Sequence, residues 1–195
     1  LLSRFPKLPQ RGLIVDLCAG NGAVGLFAST RTKAKILAVE IQERLADMAE
    51  RSIELNDLTQ QMQVIQDDLK NLGQYITGSR VDMILCNPPY FKVDKQSNLN
   101  ESQHYLLARH EISTNLEEIC KIAQRVFKSN GRLAMVHRPE RFLDILDTMQ
   151  AHNLAPKRIQ FVYPKLGKEA NMLLIEAIKD GSRDGLKILP PLFIH

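Results

Sequence analysis

Short apolar runs alternate along this chain with longer stretches in which apolar residues recur at helical spacing, and the two periods divide it into strands and helices. Runs at 12–17, 35–40, 61–66 and 80–86 read as strands. Residues 23–30 read as a helix between the first two. Between the second and third, Leu45, Met48, Ala49, Ile53 and Leu55 recur with acids and arginines among them, which predicts an amphipathic helix over 42–56. The polar stretch 91–112 has little periodicity and reads as a long loop of the functional kind. Beyond it the pattern predicts a helix over 113–128, capped by Ser113 or Thr114 and stopped near Asn130-Gly131. A strand follows at 132–137, then a helix over 139–152 with Pro139 at its start, then strands at 158–163 and 171–177. Such alternation predicts a βα-wound sheet. No helix fits between the last two strands, so they are expected to form an antiparallel hairpin at the sheet edge. The expected fold is α/β and Rossmann-like, with seven strands in a mostly parallel sheet closed by that C-terminal hairpin.

With 195 residues, 44% hydrophobic and 25% charged, the chain reads as one globular domain over 1–195 with a sizeable core. No apolar run approaches the roughly 18 residues of a membrane span, and no signal-peptide pattern is present. Cys18, Cys86 and Cys120 lack metal-ligand spacing and read as reduced, buried thiols of a cytoplasmic protein without a metal site. Cys18 and Cys86 are expected close together if their strands are neighbours, as packing residues and not as a redox pair. The chain opens on Leu1 rather than Met, and truncation at both ends is expected. Its formal net charge of +4 is uneven: residues 1–120 hold 13 Lys and Arg against 15 Asp and Glu, whereas 121–195 hold 13 against 7. That split suits a neutral or acidic cofactor half and a basic half facing a polyanion, with scattered solvated charge as the alternative.

The candidate chemistry sits at the ends of the predicted strands. Gly20-Asn21-Gly22-Ala23-Val24-Gly25 matches G-x-G-x-x-G, a turn that brings backbone and a helix N-terminus up to a ligand. A dinucleotide would place its pyrophosphate there. Asp16, four residues before the first glycine and at the mouth of the turn, would repel that group but suits the ammonium of an amino-acid moiety. Glu40, ending the second strand, is placed to accept both hydroxyls of an adenosine ribose. Asp67 or Asp68 after the third strand can accept from an adenine amine, with Asp68 preferred. Together with Gly20, Asn21 and Gly22 these residues describe a site for S-adenosyl-L-methionine ahead of one for NAD. Plainer readings stand beside them: Asp16 as a helix cap, Glu40 as a solvated strand end, and Asp67 and Asp68 as N-caps.

After the fourth strand, Asn87-Pro88-Pro89-Tyr90 must leave the sheet, because two prolines cannot continue its ladder. The Asn87 side-chain oxygen and the Pro88 carbonyl can accept both N–H bonds of a flat amine, and Tyr90 offers a stacking face. An ordinary Pro-Pro turn with a solvent-facing tyrosine is the alternative.

Asp16-Leu17-Cys18-Ala19-Gly20-Asn21-Gly22 together with Asn87-Pro88-Pro89-Tyr90 resembles the amino-methylating S-adenosylmethionine-dependent methyltransferases, which implies the class I methyltransferase form of the Rossmann-like fold. More narrowly, Asn87-Pro88-Pro89-Tyr90-Phe91, His110-Glu111, His137-Arg138-Pro139-Glu140-Arg141 and Pro190-Pro191-Leu192 resemble the bacterial valine-tRNA adenine-N6 methyltransferase family. The resemblance covers nearly all of the chain. It implies methylation of the adenosine just 3′ of the anticodon, with S-adenosylmethionine as donor and Asn87, Pro88 and Tyr90 as catalytic residues. The chain departs from the family by lacking its N-terminal segment and by stopping soon after Leu192. A protein glutamine-N5 methyltransferase acting on a release factor uses the same Asn-Pro-Pro-Tyr chemistry, but carries a helical N-terminal domain. A DNA adenine methyltransferase would need a separate target-recognition domain. A non-catalytic RNA-binding module with a retained cofactor pocket is the reading from another class. Lys92 after Tyr90, Arg138 and Arg141 after the fifth strand, and Lys165 and Lys168 after the sixth are expected to form a basic rim for RNA phosphates, unless Arg138 and Arg141 only pair with Glu140 and Asp144.

Overall fold

The structure, a computed structural model, describes residues 1–78, 80–88 and 116–194. Its strands are β1 (Leu13–Leu17), β2 (Lys35–Glu40), β3 (Met62–Gln66), β4 (Val81–Cys86), β5 (Phe127–His137), β6 (Leu154–Tyr163), β7 (Met172–Lys179), β8 (Lys187–Ile188) and β9 (Leu192–Phe193). They form one sheet in the order β3-β2-β1-β4-β5-β7-β6-β8, with β9 also on β6. β1 to β5 are parallel, and β7 lies antiparallel between β5 and β6. The chain winds outward from β1 toward β3, then crosses back to β4 and winds the other way. Sheets of this kind bind ligands at the carboxyl ends of the strands flanking that reversal.

Alternation along each strand builds two cores. Ile14, Ile36, Met83 and Ala134 pack with α1 (Ala23–Ser29) and α2 (Glu43–Leu55) on one face. Val15, Ile84, Leu133 and Ile175 pack with α3 (Leu72–Tyr75), α4 (Leu116–Val126) and α5 (Phe142–Ala151) on the other. The first face also buries Leu2, Phe5 and Leu8, so the first ten residues, for which the sequence predicted no element, contribute three side chains to the core. The Arg158 guanidinium lies 4.9 Å above the Phe5 ring and reaches Glu176 at 3.3 Å. Glu176 is buried and also meets Arg132 at 3.5 Å, so this interior carboxylate sits between two cations.

Strand number and strand boundaries differ from expectation, and β6 begins at Leu154 instead of 158. Nine strands, not seven, are present among the described residues, because β8 and β9 add to the outer edge of β6 and take the edge position predicted for the hairpin. They are two-residue ladders interrupted by Pro190-Pro191, too short for any alternation to register in the sequence. β5 begins at Phe127 instead of 132: Phe127 pairs with Val81, residues 128–131 bulge out with Asn130 at φ 61°, and pairing resumes at Arg132 opposite Met83. Buried Ile119, Ala123 and Phe127 keep helical spacing across this junction, which is why the pattern read as helix through 128.

The entry to β1 is fixed by Gly12, whose φ of 96° disfavours any other residue. A Cβ there would lie 2.0 Å from Asp82 Oδ2, the atom that accepts the Leu13 N–H. Gly12→Ala is expected to cost more than about 1 kcal/mol, seen as a lower urea midpoint at unchanged slope. A midpoint equal to that of the parent would show that the β1–β4 junction relaxes without loss.

Candidate functional site

The carboxyl ends of β1, β2, β3 and β4 open onto one cleft. The glycine turn, Glu40, Asp67, Asp68 and Asn87 line it, with Val39, Ile41, Leu45 and Leu69 as apolar walls. The turn is built by the backbone: the Ala19 N–H donates to the Val39 carbonyl at 3.0 Å, and the Gly22 N–H to the Ala19 carbonyl at 2.9 Å. Gly22 has φ 80°, and a Cβ on it would stand 3.0 Å from the Ala49 Cβ, so the turn presses directly on α2.

Glu40 is only 4% exposed, yet it belongs to the cleft wall. Its Oε2 accepts the Gly20 N–H at 2.6 Å and its Oε1 accepts the Gln42 N–H at 2.9 Å. The solvated strand end is therefore not what the fold makes of it. Each carboxylate oxygen has two lone pairs, so one remains on each for a ligand hydroxyl. Asp67 is held by its own neighbours: Oδ1 accepts from the Asp68 N–H and the Asn71 amide, and Oδ2 from the Tyr75 hydroxyl at 2.7 Å. These donors, the Asn71 amide foremost, pull its carboxyl below the ordinary range. Asp68 caps a 3₁₀ turn by accepting the Lys70 N–H on Oδ1 at 2.9 Å. Both acids reach the cleft, and Asp68 spends less of its side chain on local bonds.

Asp16 lies beneath the turn, not at its mouth, and is completely buried. Its Oδ2 accepts the Gly25 N–H at 2.9 Å, which satisfies a donor in the first turn of α1. Its Oδ1 has no hydrogen-bond partner among the described residues. Burial lifts this carboxyl from 3.8 to about 7; the Gly25 bond opposes the rise and the nearby Glu40 charge adds to it.

Asn87 is exposed at the cleft directly after β4, and Pro88 is buried. Tyr90 and Lys92 lie outside the described residues. Cys18 lines the cleft with φ 56°, and Cys86 is paired in register with Leu17, so the two thiols are neighbours as expected. Both are free, and the hydrogen bond with Cys18, with burial second, holds the Cys86 thiol protonated well above its usual range.

Arg138 is exposed beyond β5, and Lys165 and Lys168 are exposed in the turn after β6. All three lie on the carboxyl edge that carries Asn87, but β4 and β6 are three strand spacings apart, roughly 14 Å. Arg141 pairs with Asp144 at 2.9 Å, so for this residue the plainer alternative holds. His137, buried at the end of β5, accepts the Arg138 N–H on Nδ1 at 2.8 Å. Burial, reinforced by Arg141, lowers its pKa and favours the neutral ring.

The backbone donors on Gly20 and Gln42 and the apolar walls were not among the sequence candidates. Ile41 carried a usable signal, an apolar residue straight after an acid at a predicted strand end; in the fold it is 51% exposed.

A family model described as conserved hypothetical protein 95 matches residues 6–139. Among curated relatives, a tRNA1(Val) (adenine(37)-N6)-methyltransferase of Shewanella loihica is 30% identical over 139 residues, covering 70% of this chain and 56% of the relative. One of the same name from Bacteroides fragilis is 26% identical over 180 residues, covering 90% of this chain and 73% of the relative. The chain thus spans only part of the length of the relatives it matches. Among solved structures, a predicted O-methyltransferase from Agrobacterium tumefaciens superposes with a TM-score of 0.76 at 24% identity, covering 100% of this chain and 85% of that one. Geranyl diphosphate C-methyltransferase from Streptomyces coelicolor, solved with S-adenosyl-L-homocysteine, gives 0.66 at 13% identity, covering 92% of this chain and 78% of that one. The fold is therefore that of the class I methyltransferases, the form that the resemblance implied.

The raised Asp16 carboxyl has a consequence for stability. Between about pH 4 and 7 the folded chain keeps a proton that the unfolded chain has lost, so stability falls as pH rises through that window. Asp16→Asn removes this dependence. The stability difference between variant and parent is expected to move in the variant's favour by on the order of 4 kcal/mol from pH 4 to 8, read from urea unfolding at fixed ionic strength. A difference that does not change with pH would mean that Asp16 titrates normally.

Proposed function

The chain belongs to the family described as conserved hypothetical protein 95, and on that footing we propose that it transfers a methyl group from S-adenosyl-L-methionine to the exocyclic N6 amine of an adenosine in RNA, a tRNA base next to the anticodon. One observation carries the reading: Glu40, with both oxygens fixed by backbone donors, shares a single cleft with Asn87. A clamped diol acceptor and an amine acceptor face the same space. The names borne by the Shewanella and Bacteroides relatives support the choice of substrate.

The residues present fit that cofactor. Glu40 would accept the ribose hydroxyls, Asp68 the adenine amine, and Val39, Ile41, Leu45 and Leu69 would pack against the base. Gly20, Asn21 and Gly22 would keep the backbone close to the amino-acid arm, with the buried Asp16, whose Oδ1 has no hydrogen-bond partner among the described residues, beneath the turn. Bound S-adenosylmethionine would supply the activated methyl on its sulfonium, so the protein's task is to orient the acceptor. An aromatic amine is a weak nucleophile because its lone pair is delocalised into the ring. Asn87 and the Pro88 carbonyl, by accepting its two hydrogens, would pull the nitrogen toward tetrahedral geometry and direct the lone pair at the methyl carbon. Placement of this kind is worth up to ~7–11 kcal/mol in the best intramolecular cases. Tyr90 would stack on the target base for about 1–3 kcal/mol. Arg138, Lys165 and Lys168, with Lys92, would meet RNA phosphates; Arg141 would have to give up Asp144 to join them.

Transfer of labelled methyl from S-adenosylmethionine, offered in parallel to total tRNA, protein and DNA, tests the proposal. Label is expected in tRNA as N6-methyladenosine. Asn87→Ala should lower that transfer at least ~100-fold while cofactor affinity changes little. Glu40→Ala should weaken cofactor binding roughly tenfold or more, since charge-assisted bonds are lost. Label in a release-factor glutamine instead of RNA would overturn the choice of substrate.

A further inference from the structure

We infer that Tyr163 and Phe193 form a stacking platform for an unpaired base of the RNA, a few nucleotides along the strand from the base that meets Asn87. The inference deepens the RNA reading above and rests on it. Pro190-Pro191-Leu192, which has no part in the cofactor cleft, puts the platform in place. The Gln160 amide donates to the Pro190 carbonyl at 3.0 Å, the Leu189 N–H to the Ile159 carbonyl at 2.8 Å and the Ile194 N–H to the Tyr163 carbonyl at 3.1 Å, so β9 is held along β6 on both sides of the prolines. Leu192 pairs with Val162 and packs with it on the first face of the sheet, so Phe193, paired with Tyr163, turns to the opposite face. There the two rings lie 5.5 Å apart at 35°. Phe193 is 42% exposed, so the pair presents an aromatic surface to solvent from a fixed backbone.

The surroundings select the occupant. Tyr163 ends β6, and the turn after it carries Lys165, Leu166 and Lys168, all exposed, with Leu166 83% exposed between the lysines. Glu169 follows them in sequence, yet among the described residues neither lysine forms an ion pair, whereas Lys121 and Lys128 are paired with acids of their own fold. Along the carboxyl edge Asn87 follows β4, Arg138 follows β5, the lysine turn follows β6, and Phe193 ends β9. Asn87 and Phe193 are four strand spacings apart, roughly 19 Å. About six nucleotides of stacked strand, or fewer of extended strand, cover that distance. A base gives the rings a flat face to stack on, and its phosphates give the lysines their anions, so one polymer uses both features. A duplex keeps its bases paired and stacked, so the occupant is an unpaired stretch such as a loop.

Fluorescence anisotropy of a labelled anticodon stem-loop of a valine tRNA, titrated with the full chain, tests the inference. Phe193→Ala should weaken binding roughly 5- to 100-fold, the range of one base-stacking contact, and leave the slope of log affinity against log salt unchanged. Phe193→Trp, which keeps a stacking face, should bind within about twofold of the parent. Lys165→Ala combined with Lys168→Ala should instead flatten that slope by about 0.7 per lost phosphate contact. The same RNA closed into a full duplex should bind parent and Phe193→Ala alike. Equal affinity of parent and Phe193→Ala for the stem-loop overturns the platform and leaves the methyl-transfer reading standing; if that variant also turns a dimeric parent into a monomer, the face belongs to a second copy of the chain. A parent that binds neither the stem-loop nor whole tRNA overturns the RNA reading and the inference together. Should Phe193→Ala fail to fold, photocrosslinking of thiouridine-substituted stem-loop to the parent decides. Crosslinks on Tyr163 or Phe193 support the inference, and crosslinks confined to other residues overturn it.

Discussion

Glu40 ties the glycine turn after β1 to the end of β2, with one carboxylate oxygen on the Gly20 N–H and the other on the Gln42 N–H. Gly20 begins the turn that leads into α1, and Gln42 is the N-cap of α2. One side chain thus sets the separation between two helix starts and the floor of the cleft between them. A parallel sheet alone would fix only the strand ends, to within the freedom of their loops. The clamp removes that freedom at the place where a ligand would need it least.

The two buried acids near this point contrast with the one elsewhere in the sheet. Glu176 is flanked by Arg132 and Arg158, so its charge is compensated within the fold. Asp16 and Glu40 have backbone N–H groups but no such cation among the described residues. On this contrast the interior at the end of β1 and β2 is electrostatically incomplete, and the interior under β6 and β7 is not.

Much of this was legible in the sequence because it depends on period and spacing. The seven longer strands, the helices after β1, β2 and β5, and the placement of Glu40, Asp68 and Asn87 on one edge follow from apolar alternation and from prolines that end a ladder. Other features depend on partners distant in sequence. The burial of Leu2, Phe5 and Leu8 requires the sheet face and Arg158, neither of which is readable from ten residues. β8 and β9 exist only because β6 offers a free edge. The descent of Asp16 from the mouth of the turn to beneath it is a matter of side-chain direction, since residue 16 points to the α1 face of the sheet. Arg141 was legible only as two alternatives, and the three-residue spacing to Asp144 on α5 decided between them.

The Glu40 clamp exists before any ligand arrives, and exchange of the Gly20 amide hydrogen with solvent in the empty protein tests this most directly. The amide should exchange slowly in the parent, and Glu40→Ala should speed it by roughly 10-fold or more, the equivalent of one charge-assisted hydrogen bond, while amides in the middle of β1 keep their rates. A Gly20 amide that exchanges equally fast in both proteins would contradict the account.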